Sequence, residues 1–286
     1  MMKKSLLKNF KEKAPAAMAA VLVLCTFSSA MAANVAMNRT SNRPVTKPKN
    51  WSIPLSAETS STLHKEGSYE REASSSFSLA PSIKFTSNLK LATSISVWKE
   101  HTGPEEAGFD NTPVSLNLST PLTPTLSWSN TIAGVLPTDR KLQNETSYQG
   151  AIKADTALAF DDLFLGSSLR LGVGITRNFH EMTQGNEGAF NVRETISQKL
   201  DYSLPLGKTW SLDTSFAYST GWTYLGDLRT KFYAGADLSW NFVKDWTASV
   251  GTSNEGNALK PNGRDSNIEF FNDTSSVVKF GLTYVL

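Results

Sequence analysis

Strict two-residue alternation marks the stretch Val277-Val278-Lys279-Phe280-Gly281-Leu282-Thr283-Tyr284-Val285-Leu286. Its even-numbered side chains are all apolar or aromatic, whereas lysine, glycine and threonine stand among the odd-numbered ones. Because successive side chains of a β-strand point to opposite faces, the pattern predicts a strand with one apolar and one wet face. The same period runs through 210–222 and 232–242. A soluble β-sandwich would show this alternation too, so the period alone does not decide between water and lipid.

Strand length separates the two cases. Strands of soluble sheets typically hold five or six residues, whereas tilted strands that span a membrane need about 9–11. Most of the predicted strands are ten or more residues long. The number of strands is even, and each strand can pair with its neighbours in sequence as a hairpin. The twelve predicted strands are 51–61, 73–86, 88–99, 112–121, 125–136, 145–161, 166–177, 188–204, 209–222, 228–242, 245–254 and 272–286.

Short and longer connections alternate along the chain. The short set is 86–88, 121–124, 161–166, 205–208 and 243–245, and the longer, more polar set is 62–72, 100–111, 137–144, 178–187, 223–227 and 255–271. Outer-membrane barrels have short periplasmic turns and longer extracellular loops. The layout therefore predicts an all-β, antiparallel up-and-down transmembrane β-barrel of about twelve strands.

Aromatic side chains gather at the two ends of these strands. Most lie beside the short turns, and a smaller group that includes Trp222 lies at the opposite ends. The two interfaces of a bilayer select such girdles, whereas a soluble sandwich has no reason to sort its aromatics in this way. The predicted membrane-interface aromatics are Trp51, Phe85, Phe160, Trp210, Trp222, Trp240, Phe242, Trp246 and Tyr284.

Overall composition excludes several other classes. Charged residues make up 19% of the chain, below the roughly 25% of soluble domains. A formal net charge of +2 lacks the basic excess of a nucleic-acid binder, so no nucleic-acid partner is expected. The single cysteine, Cys25, excludes a disulfide scaffold and a thiolate metal cage.

Residues 1–32 have the organisation of a cleaved secretory signal peptide. A lysine-rich start precedes the apolar stretch 14–27, and Ala30-Met31-Ala32 supplies small residues for signal peptidase. The apolar stretch is shorter than the roughly 20 residues needed to cross a bilayer as a helix. Residues 33–50 are polar and aperiodic and are predicted to be a disordered periplasmic tail. The barrel domain is predicted to be 51–286.

The alternating stretch 278–286 resembles the terminal strand signal of Gram-negative outer-membrane β-barrels, although Leu286 stands where that family usually has Phe or Trp. The resemblance implies location in the outer membrane, contact with its lipid, and recognition of the last strand by the barrel-assembly machinery. By strand number the chain looks like the small monomeric channels for nucleosides or acidic oligosaccharides, but it carries no motif private to either.

The wet face of the predicted barrel holds eight basic and five acidic side chains: Lys84, Lys90, Lys153, Arg170, Arg193, Lys199, Lys231, Lys279, Glu58, Asp155, Asp201, Asp213 and Asp237. If the apolar face meets lipid, these residues line the lumen. A basic excess inside a low-dielectric wall favours anionic solutes. One interpretation is therefore an aqueous channel for small hydrophilic solutes. The other is a filled interior of paired charges, with a structural or surface-receptor role.

Two residues conflict with an unbroken period in the strand 188–204. Glu194 and Gln198 fall on the lipid side, and a mid-bilayer charge costs on the order of 2–4 kcal/mol for Lys or Arg and less for Glu. A β-bulge, which reverses the order of faces, is expected in this strand. Asn130 presents a milder form of the same conflict.

Enzyme chemistry finds little support in the sequence. The three histidines, His64, His101 and His180, fall in or beside long loops, and no strand is expected to carry the His and Ser pair of an outer-membrane phospholipase. Gly207-Lys208-Thr209 has Tyr202 where a phosphate loop needs its first glycine. Neither catalytic residues nor a cofactor nor a metal site is expected. The predicted function is a monomeric outer-membrane channel for passive diffusion.

Overall fold

The computed structural model describes residues 49–64, 71–102, 106–260, 264–272 and 276–286. The signal peptide and most of the predicted tail lie outside these residues. The described chain forms sixteen β-segments, one short α-helix and one 3-10 helix. In chain order they are β1 Trp51–Ser52, β2 Pro54–Thr62, β3 Ala73–Leu79, β4 Ser82–Lys84, β5 Leu89–Thr93, β6 Ile95–Glu100, β7 Ala107–Phe109, β8 Thr112–Thr123, β9 Leu126–Leu136, α1 Arg140–Thr146, β10 Tyr148–Phe160, the 3-10 helix Phe164–Gly166, β11 Ser168–His180, β12 Val192–Leu206, β13 Trp210–Thr223, β14 Leu228–Val243, β15 Trp246–Asn257 and β16 Val277–Val285.

All sixteen segments belong to one sheet with antiparallel neighbours. The order is β1-β4-β5-β8-β9-β10-β11-β12-β13-β14-β15-β16-β2-β3-β6-β7. β16 pairs with β2 over nine residue pairs, from Val277 opposite Thr62 to Val285 opposite Pro54. The first and last segments in this order are β1 and β7. At most two residues separate β1 from β2 and β7 from β8 along the chain, so each end of the order leads directly into a segment from its interior and the sheet returns on itself.

Sixteen segments replace the predicted twelve because the first three predicted strands are each interrupted once and because β7 forms within the predicted loop 100–111. The segments on the two sides of an interruption keep pairing with the same neighbouring strands. Pro54 and Pro81 lie at two of these interruptions, and proline has no N–H to donate to a ladder. Backbone bonds still cross them, since Ala80 N donates to Pro54 O at 3.0 Å and Thr93 N donates to Pro81 O at 3.0 Å.

Several element bounds differ from the sequence prediction; β16, for example, begins at Val277 rather than at 272. The loop predicted at 137–144 contains α1, which extends to Thr146, so β10 begins at Tyr148 rather than at 145. The Asp139 side chain caps α1 by accepting a 3.0 Å hydrogen bond from Leu142 N, the usual role of aspartate at this position. The strand predicted at 188–204 begins at Val192 and ends at Leu206. None of the helices in the described part of the chain is long and apolar enough to cross a membrane.

The sheet has two chemically distinct faces. Large apolar side chains stand exposed on one of them, which we call the apolar face; Phe77 is 49% exposed, Ile132 64% and Phe280 58%. The other, the charged face, is concave, because its side chains reach over an intervening strand. Arg170 Nη2 on β11 lies 3.2 Å from Ser129 Oγ on β9, and β10 runs between these strands. The charged face is therefore the inner one.

The segment 264–272, predicted as part of an extracellular loop, lies against the apolar face. Asn254 Nδ2 donates to Glu269 O at 2.7 Å, and the rings of Phe216 and Phe270 are 5.8 Å apart. Phe232, near the start of β14, is only 5% exposed. The rest of this predicted loop includes 261–263, which lie outside the described residues.

Candidate functional site

The candidate site is the charged face, and its register can be followed from strand to strand. Asp155 on β10 stands opposite Thr131 on β9 and Gly174 on β11. Lys279 on β16 stands opposite Gly251 on β15 and Ser60 on β2. Register and alternation place twelve of the predicted lumen residues on this one face: Glu58, Lys84, Lys90, Lys153, Asp155, Arg170, Lys199, Asp201, Asp213, Lys231, Asp237 and Lys279. The nine predicted interface aromatics fall on the apolar face.

The thirteenth lumen residue, Arg193, lies at a register shift. The β12–β13 ladder shifts between Val192 and Glu194 and is then continuous to Leu206. Arg193 Nη2 is 3.7 Å from Glu194 Oε2. The bulge expected inside this strand therefore occurs at its beginning and does not move Glu194 or Gln198 off the apolar face.

Cross-strand partners explain how these polar groups are tolerated there. Glu194 stands opposite Arg177 and forms an ion pair with it. Gln198 stands opposite Val173 and Tyr218 without breaking the ladder. Asn130 faces Thr156, whose hydroxyl also accepts a 2.7 Å hydrogen bond from Trp128 Nε1. The prediction of a parity-reversing bulge was wrong because a neighbouring strand supplies the opposite charge.

A basic sector occupies the strands from β4 to β12. Lys84 and Lys90 are directly opposed across β4 and β5, and the positive charges of Lys84 and Arg170 both act on Lys90. Lys199 stands opposite Gly172, and Arg170 stands opposite Ala159 on β10. These small neighbours leave the long cationic side chains room to extend into the interior.

Two carboxylates lie within the basic sector. Asp201 is opposite Arg170 in the β11–β12 ladder, and Asp155 acts on Lys153, Arg170 and Lys199. In the described part of the chain, neither Lys90 nor Lys199 has a carboxylate within ion-pair distance. The sector thus combines five cations with two anions.

An acidic sector adjoins the basic one on β13 and β14 and includes Glu58 on β2. Asp213 and Asp237 are directly opposed. The Asp213 carboxylate accepts hydrogen bonds from Ser203 Oγ and, at 3.0 Å, from Ser211 Oγ. The Asp237 side chain lies over Gly251, where an added Cβ would come within 1.9 Å of Asp237 Oδ1.

One cation and one aromatic ring stand beside the acidic sector. Lys279 Nζ donates to the Tyr233 hydroxyl at 3.2 Å and lies 5.5 Å from the centre of that ring. The negative charges of Asp237 and Glu58 act on Lys279. Cations therefore predominate on the strands from β4 to β12, whereas carboxylates predominate on β13, β14 and β2, where Lys231 and Lys279 are the neighbouring cations.

The sequence prediction missed several charged-face residues at the end of the sheet where α1 lies. Trp98 stands opposite Ser76 and Gly108, and Glu100 N donates to Glu106 O at 2.8 Å. The other missed members are Arg229, opposite Gly221, and Glu255, opposite Tyr233. Alternation could have predicted Trp98 and Glu100, because both have even residue numbers and the even-numbered residues of this strand, such as Lys90, face the interior.

Helix α1 overhangs this end of the charged face. Leu142 packs against a buried cluster of Val135, Tyr148 and Ala151. Lys141 Nζ lies 2.7 Å from Glu106 Oε2 and 3.7 Å from Glu100 Oε1. The hydrogen bond to Glu106, with the attraction of Glu100 and Glu145, raises the pKa of Lys141 above its usual value.

The histidines form one contact that the sequence prediction did not expect. His101 Nε2 lies 2.8 Å from Ser75 Oγ; His101 is exposed, and Ser75 is half-buried on the apolar face. In the described residues no carboxylate ion-pairs with His101, so the orienting group of a catalytic triad is not present there. His180 packs between the rings of Tyr148 and Tyr224, at 5.6 and 5.8 Å. No three His, Cys, Asp or Glu side chains come together as a metal site within the described ranges.

This architecture resembles that of solved outer-membrane β-barrels. The chain resembles the outer-membrane channel COG4313 from Pseudomonas putida F1 with a TM-score of 0.58 and 13% identity, over 87% of this chain and 100% of that one. The NanC porin matches with a TM-score of 0.54 and 9% identity, over 81% and 98%. The KdgM porin, in complex with disordered oligogalacturonate, matches with a TM-score of 0.51 and 11% identity, over 82% and 98%. No family model and no curated protein matches the sequence. At these identities the likeness establishes the fold.

Proposed function

We propose that the chain is an outer-membrane channel for passive diffusion of small hydrophilic solutes, with a preference for anionic ones. Residues 1–32 would direct its export, 33–50 would form a periplasmic tail, and the last strand would be read by the barrel-assembly machinery. The protein would act as a monomer in outer-membrane lipid, without a cofactor.

The observation that carries the proposal is the opposition of like charges on the charged face. Lys84 faces Lys90, and Asp213 faces Asp237. Directly opposed like charges destabilise a sheet by roughly 0.2–1 kcal/mol per pair. A dry interior held together by paired charges would avoid both arrangements, whereas a water-filled lumen screens them.

The anion preference is supported by the basic sector. Its five cations outnumber its two carboxylates, and Lys90 and Lys199 have no ion-pair partner among the described residues. An anion that moves along this wall therefore meets a net positive charge, which Asp155 and Asp201 offset only in part. The likeness to KdgM, which was solved in complex with oligogalacturonate, is compatible with this preference.

Single-channel recording of the refolded chain in a planar bilayer tests the proposal. We expect discrete conductance steps and, in a salt gradient, a reversal potential of the sign that indicates anion permeation. Absence of discrete steps at every applied voltage would refute the channel and favour the structural or receptor role. Cation selectivity would refute the anion preference alone.

The enzymatic alternative rests on the contact between Ser75 and His101. Hydrolysis of phospholipid or peptide by the refolded chain would support it if Ser75→Ala and His101→Ala both abolish the activity. His64→Ala and His180→Ala are the other histidine variants, and His180 serves as the control because it packs between the rings of Tyr148 and Tyr224. We expect no activity in any of the five proteins.

A further inference from the structure

We infer that α1 forms a constriction at one mouth of the proposed lumen, and that Lys141 sets the charge preference of this constriction. The inference rests on the proposed channel function and adds a selectivity-determining residue outside the strands. It follows from where α1 is anchored and from what Lys141 contacts.

The hydrophobic side of α1 is fixed to the inner wall. Leu142 packs on Val135, Tyr148 and Ala151. Ala151 lies two residues before the lumen residue Lys153 on β10 and therefore belongs to the charged face. Val135 stands directly opposite Ala151, so it belongs to the charged face as well. The helix therefore lies inside the rim of the sheet rather than outside it.

The C-terminal half of α1 is held by the connection between β11 and β12. Asn186 N donates to Glu145 O at 2.8 Å, and Asn186 Nδ2 donates to Asn144 O at 2.7 Å. Asn191 Nδ2 donates to Thr146 O at 2.8 Å. Helix α1 is therefore hydrogen-bonded to the β11–β12 connection near its C-terminus and capped by Asp139 at its N-terminus.

Lys141 projects from α1 onto the β6–β7 part of the wall. Its Nζ lies 2.7 Å from Glu106 and 3.7 Å from Glu100, and 5.8 Å from the centre of the Trp98 ring. Trp98 lies flat against Gly108, where an added Cβ would be 2.9 Å from Trp98 Cζ2. One cation from the helix thus compensates two wall carboxylates at this mouth.

Without Lys141, an anion that approaches would meet Glu100 and Glu106 uncompensated. An ion about 4 Å from a unit charge in water experiences an interaction that changes its local concentration about fivefold, and one at twice that distance about twofold. We therefore expect loss of the Lys141 charge to lower the anion-to-cation permeability ratio about twofold to fivefold at low salt.

Charge restoration on a single cysteine tests this directly. Cys25 is the one cysteine of the chain, so Lys141→Cys is made in a Cys25→Ser background, and reversal potentials are measured in a salt gradient. 2-Aminoethyl methanethiosulfonate adds a positive charge and should restore the original ratio. 2-Sulfonatoethyl methanethiosulfonate adds a negative charge and should lower the ratio further.

Lys244→Cys is the matched control, because Lys244 is a 73% exposed lysine in the turn after β14, at the opposite end of the sheet. Its modification should leave the ratio unchanged. If the two cysteine variants respond alike, the role of Lys141 is refuted while the channel stands. If the Cys25→Ser parent does not conduct at all, the proposed function fails and the inference falls with it.

A second variant tests the constriction independently of charge selectivity at Lys141. Leu142→Asp places a carboxylate against the apolar cluster that anchors α1 and should release the helix and raise the single-channel conductance. Leu163→Asp is the control, at an exposed leucine beside the 3-10 helix on the other rim. Equal conductance of both variants and the parent would overturn the constriction.

Discussion

Neutralising Lys90 should weaken the anion preference of the channel. Lys90 lies on the charged face opposite Lys84 and Asn117, and no carboxylate of the described residues is within ion-pair distance of it. Its charge is therefore available to a passing solute. The variant Lys90→Gln keeps a long polar side chain and removes only the charge.

The size of the effect follows from Coulomb's law. A solute carboxylate about 4 Å from an ammonium group gains about 1 kcal/mol in bulk water and about 4 kcal/mol at an effective dielectric constant near 20. The proposed lumen is wet, so the lower figure applies, and it corresponds to about a fivefold drop in the anion-to-cation permeability ratio. Because the Debye length falls from about 30 Å at 0.01 M salt to about 3 Å at 1 M, the drop should shrink at high salt.

Reversal potentials across asymmetric salt, measured at low and at high ionic strength, give this ratio. Lys99→Gln is the matched control, because Lys99 lies on the next segment, β6, opposite Ser75 and Ala107 on the apolar face. The control should leave selectivity unchanged. Equal shifts in Lys90→Gln and Lys99→Gln would refute the assignment of the two faces, and no shift in either would refute the role of the basic sector.

Two further predictions concern stability. Gly251→Val should destabilise the folded barrel by roughly 1–3 kcal/mol, as overpacking does, because the added Cβ would collide with Asp237. Gly134→Val is the control and should leave the stability unchanged, because nothing lies within 4 Å of the added Cβ. Urea titration of the refolded proteins compares the two variants. The ion pair of Lys141 with Glu106 should add a few tenths of a kcal/mol to the free energy of unfolding, on the order found for exposed pairs. This stabilisation should be fully present below the ordinary lysine pKa of 10.5 and should be lost as the pH rises through the raised pKa of Lys141. Melting temperatures of the parent and Lys141→Gln should therefore differ by a constant amount from pH 7 to 10 and converge above; convergence already at neutral pH would contradict the hydrogen bond to Glu106.

The faces of the strands were predictable because a two-residue period is a direct property of extended backbone. Alternation placed Lys90, Asp155 and Lys279 on one face and Trp240 on the other without knowledge of any contact. Two of the interruptions in the first strands follow from proline chemistry at Pro54 and Pro81. Their alignment across neighbouring strands depends on the register of the pairing, which a local pattern does not give.

Features that depend on partners distant in sequence could not be read from the chain. Arg177 compensates Glu194 only because their strands pair in one particular register. Helix α1 is short, and its stability comes from Leu142 packing on the wall and from the Asp139 cap rather than from a long apolar period. The packing of Phe270 on Phe216 likewise brings together residues that no local pattern connects.

The central claim, that one face of each strand meets water inside the barrel and the other meets lipid, is tested most directly by thiol accessibility along β10. In a Cys25→Ser background, single cysteines at Lys153 and Asp155 should react with a membrane-impermeant maleimide in proteoliposomes. Cysteines at Ile152, Ala154 and Leu158 should react only with a lipid-soluble one. Labelling that ignores this alternation would contradict the claim, and protection of both sets from the aqueous reagent would show a filled interior instead of a channel.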